Sequence, residues 1–171
     1  MKNGVLAAIL TAILIVGAIL FWIGGQTSLR ASAVSWFHVD GPAEFYTRDL
    51  QCRSAIYRLN PVDPKGALPV SSDFIHAIES FENRGIAALQ IDGFSPRDLL
   101  GVIDLGGEND YSRQLIQNLQ RVRRCTDRMG PTFAAAFDRL DGTLVFRSRD
   151  TMIMVHDPAQ NRLFLATGDY F

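Results

Sequence analysis

The sequence predicts an α+β chain: a single N-terminal transmembrane helix, then one soluble domain in which a C-terminal antiparallel β-meander packs against a helical layer. Three observations predict it. Val5 to Ile23 is nineteen residues without charge or proline, interrupted only by the hydroxyl of Thr11. Between Asp110 and Arg128, the residues Tyr111, Leu115, Leu119, Val122 and Cys125 recur at helical spacing, with Arg113, Gln117, Gln120, Arg121 and Arg124 on the opposite side. After residue 132 the pattern changes to short apolar runs separated by turn residues.

The apolar run comes first. At about 1.5 Å per helical residue it spans about 28 Å, close to the roughly 30 Å hydrocarbon core of a bilayer. Val5, Ile9, Ile13, Val16, Leu20 and Trp22 are the residues expected to meet lipid, with Trp22 suited to the interface. Ala31-Ser32-Ala33 mimics a secretory cleavage site, but the run exceeds the usual 7–15 apolar residues and the site lies eight residues past it, beyond Arg30. A retained anchor is favoured over a cleaved leader. Lys2 before the run gives a mild positive-inside preference for a cytoplasmic N-terminus, with the domain on the periplasmic side. The Gly/Ser/Thr-rich stretch that follows reads as a flexible tether. The expected organisation is therefore residues 1–24 as anchor, 25–33 as tether and 34–171 as the exported domain.

Within the domain, Ala33 to Val39 reads as a short strand ended by Gly41-Pro42, and Leu50 to Leu59 as a second. Residues 60–66 carry two prolines and a glycine and are loop. Ser71 or Ser72 is placed to cap a helix through Asn83 with Phe74, Ile78 and Phe81 on one face, closed by Gly85. Ile86 to Ile91 is a buried strand ended by Asp92-Gly93. Ser95-Pro96-Arg97-Asp98 is a helix start with Ser at the N-cap and an acid three residues on. The amphipathic helix ends at Gly130-Pro131. Four strands follow: Phe133 to Leu140, Thr143 to Arg149, Thr151 to His156 and Arg162 to Thr167. Asp141-Gly142 is placed as a hairpin turn between the first two, and residues 157–161 as a turn between the last two.

The chemistry of the chain is sparse. Its formal charge is −1, whereas a nucleic-acid binder needs a basic surplus to neutralise phosphates. No P-loop or dinucleotide fingerprint occurs, and Gly106-Gly107 follows a helix. His38, His76 and His156 fit no metal-ligand spacing, and the chain lacks G-x-S-x-G. No catalytic residue, metal or cofactor is therefore assigned. Cys52 and Cys125 are the two cysteines, and in an exported domain two cysteines are expected to pair. Arg121, Arg124 and Arg128 share one helical face and are the candidate partner-binding residues; charge at a helix C-terminus is the plainer account.

The sequence thus favours a single-pass protein of the inner membrane. The bilayer is its partner through residues 5–23, and its non-catalytic domain serves as subunit, assembly factor or scaffold of a membrane-associated complex with protein partners. The alternatives are a tethered small-ligand sensor or carrier, with an apolar cavity between Phe74/Phe81 and the C-terminal strands, or a small envelope hydrolase built on the histidines.

Overall fold

A computed structural model describes residues 2–48, 51–60, 64–66, 68–99, 117, 120–126, 128–147 and 151–168, with side chains from residue 6 onward in the first helix. The fold is α+β. Its centre is a seven-stranded mixed sheet in the order β1-β2-β7-β6-β5-β4-β3. The strands are β1 (Val39–Arg48), β2 (Cys52–Leu59), β3 (Val70–Ser71), β4 (Ile86–Asp92), β5 (Asp141–Arg147), β6 (Met152–Asp157) and β7 (Arg162–Gly168). All neighbours are antiparallel except β3 and β4. The helices are α1 (Lys2–Trp36), α2 (Phe74–Arg84) and α3 (Pro131–Phe137). Residues 96–99 and 120–126 are also helical.

The sheet is buried on both faces, and side chains alternate between them as the pleat requires. Ile56, Leu89, Ile91, Leu144, Phe146, Ile153, Val155, Phe164 and Ala166 point to one face, where they cluster with Ala77 and Phe81 of α2, Val122, and Phe133, Ala136 and Phe137 of α3. Ala55, Tyr57, Leu59, Val145, Met154, Leu163 and Leu165 point to the other, where they cluster with Leu29, Ala33 and Phe37. Double burial explains why β5 to β7 read as unbroken apolar runs rather than as an alternation.

That second cluster corrects the tether. Residues 25–33 are helical and continue α1 without a break to Trp36. Leu29, Ala33 and Phe37 recur every four residues, and this stripe holds the segment on the sheet. Phe37 N–H still donates to the Ala33 carbonyl at 2.9 Å, so the expected first strand, Ala33 to Val39, is helix over most of its length. Tyr57 lies under α1, its hydroxyl 3.5 Å from the Gln26 carbonyl, and burial pushes its pKa up to about 12. Residues 6–20 project from the domain. Leu6, Ile13, Leu14 and Leu20 are each more than 60 % exposed, and no acidic or basic residue interrupts the segment.

Gly41-Pro42 does not end β1. The strand lies at the sheet edge and passes through with a register irregularity between Asp40 and Phe45, the setting in which a sheet tolerates proline. Asp73, not Ser71 or Ser72, caps α2: its carboxylate accepts from Ile75 N–H at 2.6 Å, and Gly85 closes the helix at φ 67°. The Ser95–Asp98 capping box forms as expected. The Ser95 N–H and hydroxyl donate to Asp98 and hold its carboxyl below the usual range.

The expected strand Phe133 to Leu140 is also corrected. Pro131 opens α3 at its first turn instead of ending what precedes it, and Phe133, Ala136 and Phe137 are buried at i, i+3 and i+4. Asp141-Gly142 is consequently no hairpin. The two residues begin β5 and pair with Asp92 and Ile91 of β4. Gly142 has φ 112°, and a Cβ there would run into the His156 carbonyl, so the glycine serves close approach of β6. The turn at 157–161 forms as expected, with Gln160 N–H donating to Asp157 at 3.0 Å. Tyr111, Leu115, Leu119, Gly106-Gly107 and residues 169–171 lie outside the described residues.

One polar cluster ties the edge strand to its neighbours. Burial works against the Glu44 carboxylate, but the hydrogen bonds and charges of Arg58 (2.9 Å) and Arg162 (2.8 Å) outweigh it and hold its pKa below the ordinary 4.5. A carboxyl depressed in the folded state stabilises the fold above its unfolded pKa, and that contribution is lost as pH falls through the folded pKa. Glu44→Gln is expected to cost at most about 1 kcal/mol at pH 7, the range of exposed pairs. The gap to the parent should narrow as pH falls below 4.5. Thermal melts at pH 7 and pH 3 check this, and an equal gap at both would contradict it.

Candidate functional site

The helical residues 120–126 lie against the sheet because Val122 and Cys125 are buried on one side of the turn. Cys125 is bonded to Cys52 at the start of β2, with Cα atoms 5.6 Å apart. The expected pairing is therefore present. It pins this helix to the end of the sheet where β1 meets β2. At that end Cys52 stands in register with Gly168, the last residue of β7, whose carbonyl accepts from the Thr151 hydroxyl at 2.7 Å.

The remaining side of the helix carries Arg121, Arg124 and Arg128. With Gln51, Cys52, Cys125 and Gly168 they line an open cavity of about 290 Å³. Arg128 Nη1 donates to Gln51 Oε1 at 3.1 Å, which spans the cavity from helix to strand. Arg121 is half-buried, and Arg124 and Arg128 are exposed. The site therefore concentrates three guanidinium groups, permanent cations with several donors in a fixed fork, around one hollow. A grouping of this kind has the donors and charge to suit a carboxylate or a phosphate. No family model, curated protein or solved structure matches this chain.

The other sequence candidates are scattered. His38 is exposed at the entry to β1. His76 is exposed on α2, with its Nδ1 3.8 Å from Asp73. His156 is buried in β6, its ring 5.5 Å from that of Phe37. Among the described residues no group of three or more His, Cys, Asp or Glu is placed to hold a metal ion. A second cavity, of about 260 Å³, is lined by Ser72, Phe74, Leu89, Phe94, Asp98 and Leu99. It includes Phe74, but its sheet wall is β4 rather than the C-terminal strands.

Of the expected anchor residues, Ile9, Ile13, Val16, Leu20 and Trp22 are exposed on α1, while the side chain of Val5 lies outside the described residues. Sequence reasoning missed two residues of β1 that grip the end of this apolar segment. The Tyr46 ring meets that of Trp22 edge-on at 4.8 Å. The Arg48 guanidinium carbon sits 3.3 Å from the Phe21 ring centroid, and its Nη1 donates to the Phe21 carbonyl at 3.1 Å. The only local signal was an aromatic and an arginine two residues apart near a strand end, which is common on any edge strand.

Proposed function

We propose that this chain is a single-pass inner-membrane protein with a cytoplasmic N-terminus. In this reading its periplasmic domain is a non-catalytic subunit, assembly factor or scaffold of a membrane-associated complex. The observation that carries the proposal is the division of α1. Its first part exposes an uncharged apolar surface on every side, and its second part is buried on the sheet. An exposed surface of that size is costly in water and suits hydrocarbon. Because one helix carries both parts, and Tyr46 and Arg48 brace the junction, the domain is held at a set height and orientation. A tethered enzyme gains little from such rigidity, whereas a part that must meet neighbours in one geometry depends on it.

The test is solubilisation of the full chain from native membranes in a mild detergent, followed by size analysis. The expected result is co-migration with a second polypeptide in fixed proportion. A strictly monomeric chain with no stoichiometric companion would overturn the scaffold reading.

A further inference from the structure

We infer that the Arg121–Arg124–Arg128 cavity binds the phosphate of an anionic phospholipid headgroup. The inference rests on the reading that residues 6–23 cross a bilayer, and it names a ligand for the site described above.

The cavity lies at the height of the headgroups. Arg48, at the end of β1, touches Phe21, and Arg53, its register partner on β2, donates through Nη1 to the Ser28 hydroxyl at 3.2 Å. At the opposite end of the sheet, Phe37 of the α1 stripe meets His156 near the end of β6. From Phe21 to Phe37 a helix rises about 24 Å, and the eight residues of β2 span about 26 Å. The second part of α1 therefore runs along the strands, from the β1–β2 end to the far end. The apolar segment stops at Ile23, so the β1–β2 end of the sheet is level with the place where α1 leaves hydrocarbon. Gln51, Cys52 and Gly168, which form the sheet side of the cavity, all belong to that end.

Headgroups occupy a layer of a few ångströms outside the hydrocarbon core. A cavity at that level meets lipid phosphate first, at a local concentration far above that of any soluble anion. Tyr46 and Trp22 are residue types that favour this layer, and Arg48 is long enough to reach its phosphates. Arginine fits a phosphate better than lysine does, because its fork donates two parallel hydrogen bonds. Asp49, Asp127, Asp150 and Asp169 flank these segments in sequence and lie outside the described residues; a lipid titration weighs their charge together with that of the arginines.

The test uses the full chain in a neutral detergent. Phosphatidylglycerol, phosphatidylcholine and inorganic phosphate are titrated in separate arms, and bound lipid is counted by native mass spectrometry. Phosphatidylglycerol should bind, and phosphatidylcholine should not. The triple variant R121Q/R124Q/R128Q should bind about a hundredfold more weakly, from about fivefold per basic group. Arg124 is exposed, so Arg124→Gln alone should fold as the parent does and lose about fivefold. The inference is overturned by unchanged lipid binding in both variants, by equal binding of the two lipids, or by displacement of lipid by millimolar inorganic phosphate, which would mark a site for free anions. Arginine-dependent binding of a polypeptide in place of lipid would also overturn it. Alkaline carbonate extraction of the same chain from membranes keeps the two readings apart. Release into the aqueous fraction defeats the bilayer assignment itself, whereas retention with no arginine-dependent lipid binding defeats only this inference.

Discussion

A chain that begins at residue 34 is expected not to fold stably, whereas one that begins at residue 25 should fold. The difference is nine residues that composition assigns to a linker. They carry Leu29, Ser32 and Ala33, all buried, and the turn that orients Phe37. Without them Tyr57, Met154, Leu163 and Leu165 lose the cover on one face of the sheet. Truncating a single buried leucine costs about 2–5 kcal/mol, and a whole domain is stable by only about 5–15 kcal/mol. In the full chain, Leu29→Ala should cost about 3 kcal/mol on the same grounds. Urea unfolding followed through Trp36, which both shortened chains retain, compares them directly. Equal midpoints for the chains starting at 25 and 34 would show that α1 does not belong to the fold.

The same nine residues show where sequence reading stops. Gly24-Gly25-Gln26-Thr27-Ser28 has linker composition, and intrinsic propensity does not favour a helix there. What makes it helical is burial of a stripe at every fourth residue, and the value of that stripe depends on a sheet assembled from residues 39–168. Tertiary contact overrides local preference in the opposite sense at Gly142, whose turn chemistry is real but serves close passage of β6. Pro131 was ambiguous for another reason, since proline both follows one helix and opens the next. Features that are local in energy were legible: β4 with its Asp92-Gly93 end, the 95–98 capping box and the 157–161 turn. The candidate site was half legible. The helical spacing of Arg121, Arg124 and Arg128 can be counted, but Gln51 and Gly168 reach them only through the pairing of β2 with β7, a contact across more than a hundred residues of chain.

Removing the disulfide is expected to destabilise the domain by as much as about 4 kcal/mol, the chain-entropy value for a loop closed across 73 residues. Cys52→Ala and Cys125→Ala should each cost nearly as much as the pair together, because either one opens the loop. Alanine is the proper replacement, since both sulfurs are buried and a serine hydroxyl would need a partner there. Chemical denaturation of the oxidised parent, of the parent with reductant and of the double variant should give one high and two lower midpoints. A parent indifferent to reductant would refute the expectation. The consequence extends to the cavity. Cys125 lies between Arg124 and Arg128 on the helix, and Cys52 adjoins Gln51, so the bridge fixes the two walls across which Arg128 reaches Gln51. Opening it frees the helix to shift on the sheet, and the three guanidinium groups that line the cavity lose their shared geometry before the domain unfolds. Anion binding should therefore fall in the double variant at temperatures where its far-UV spectrum is still that of the parent.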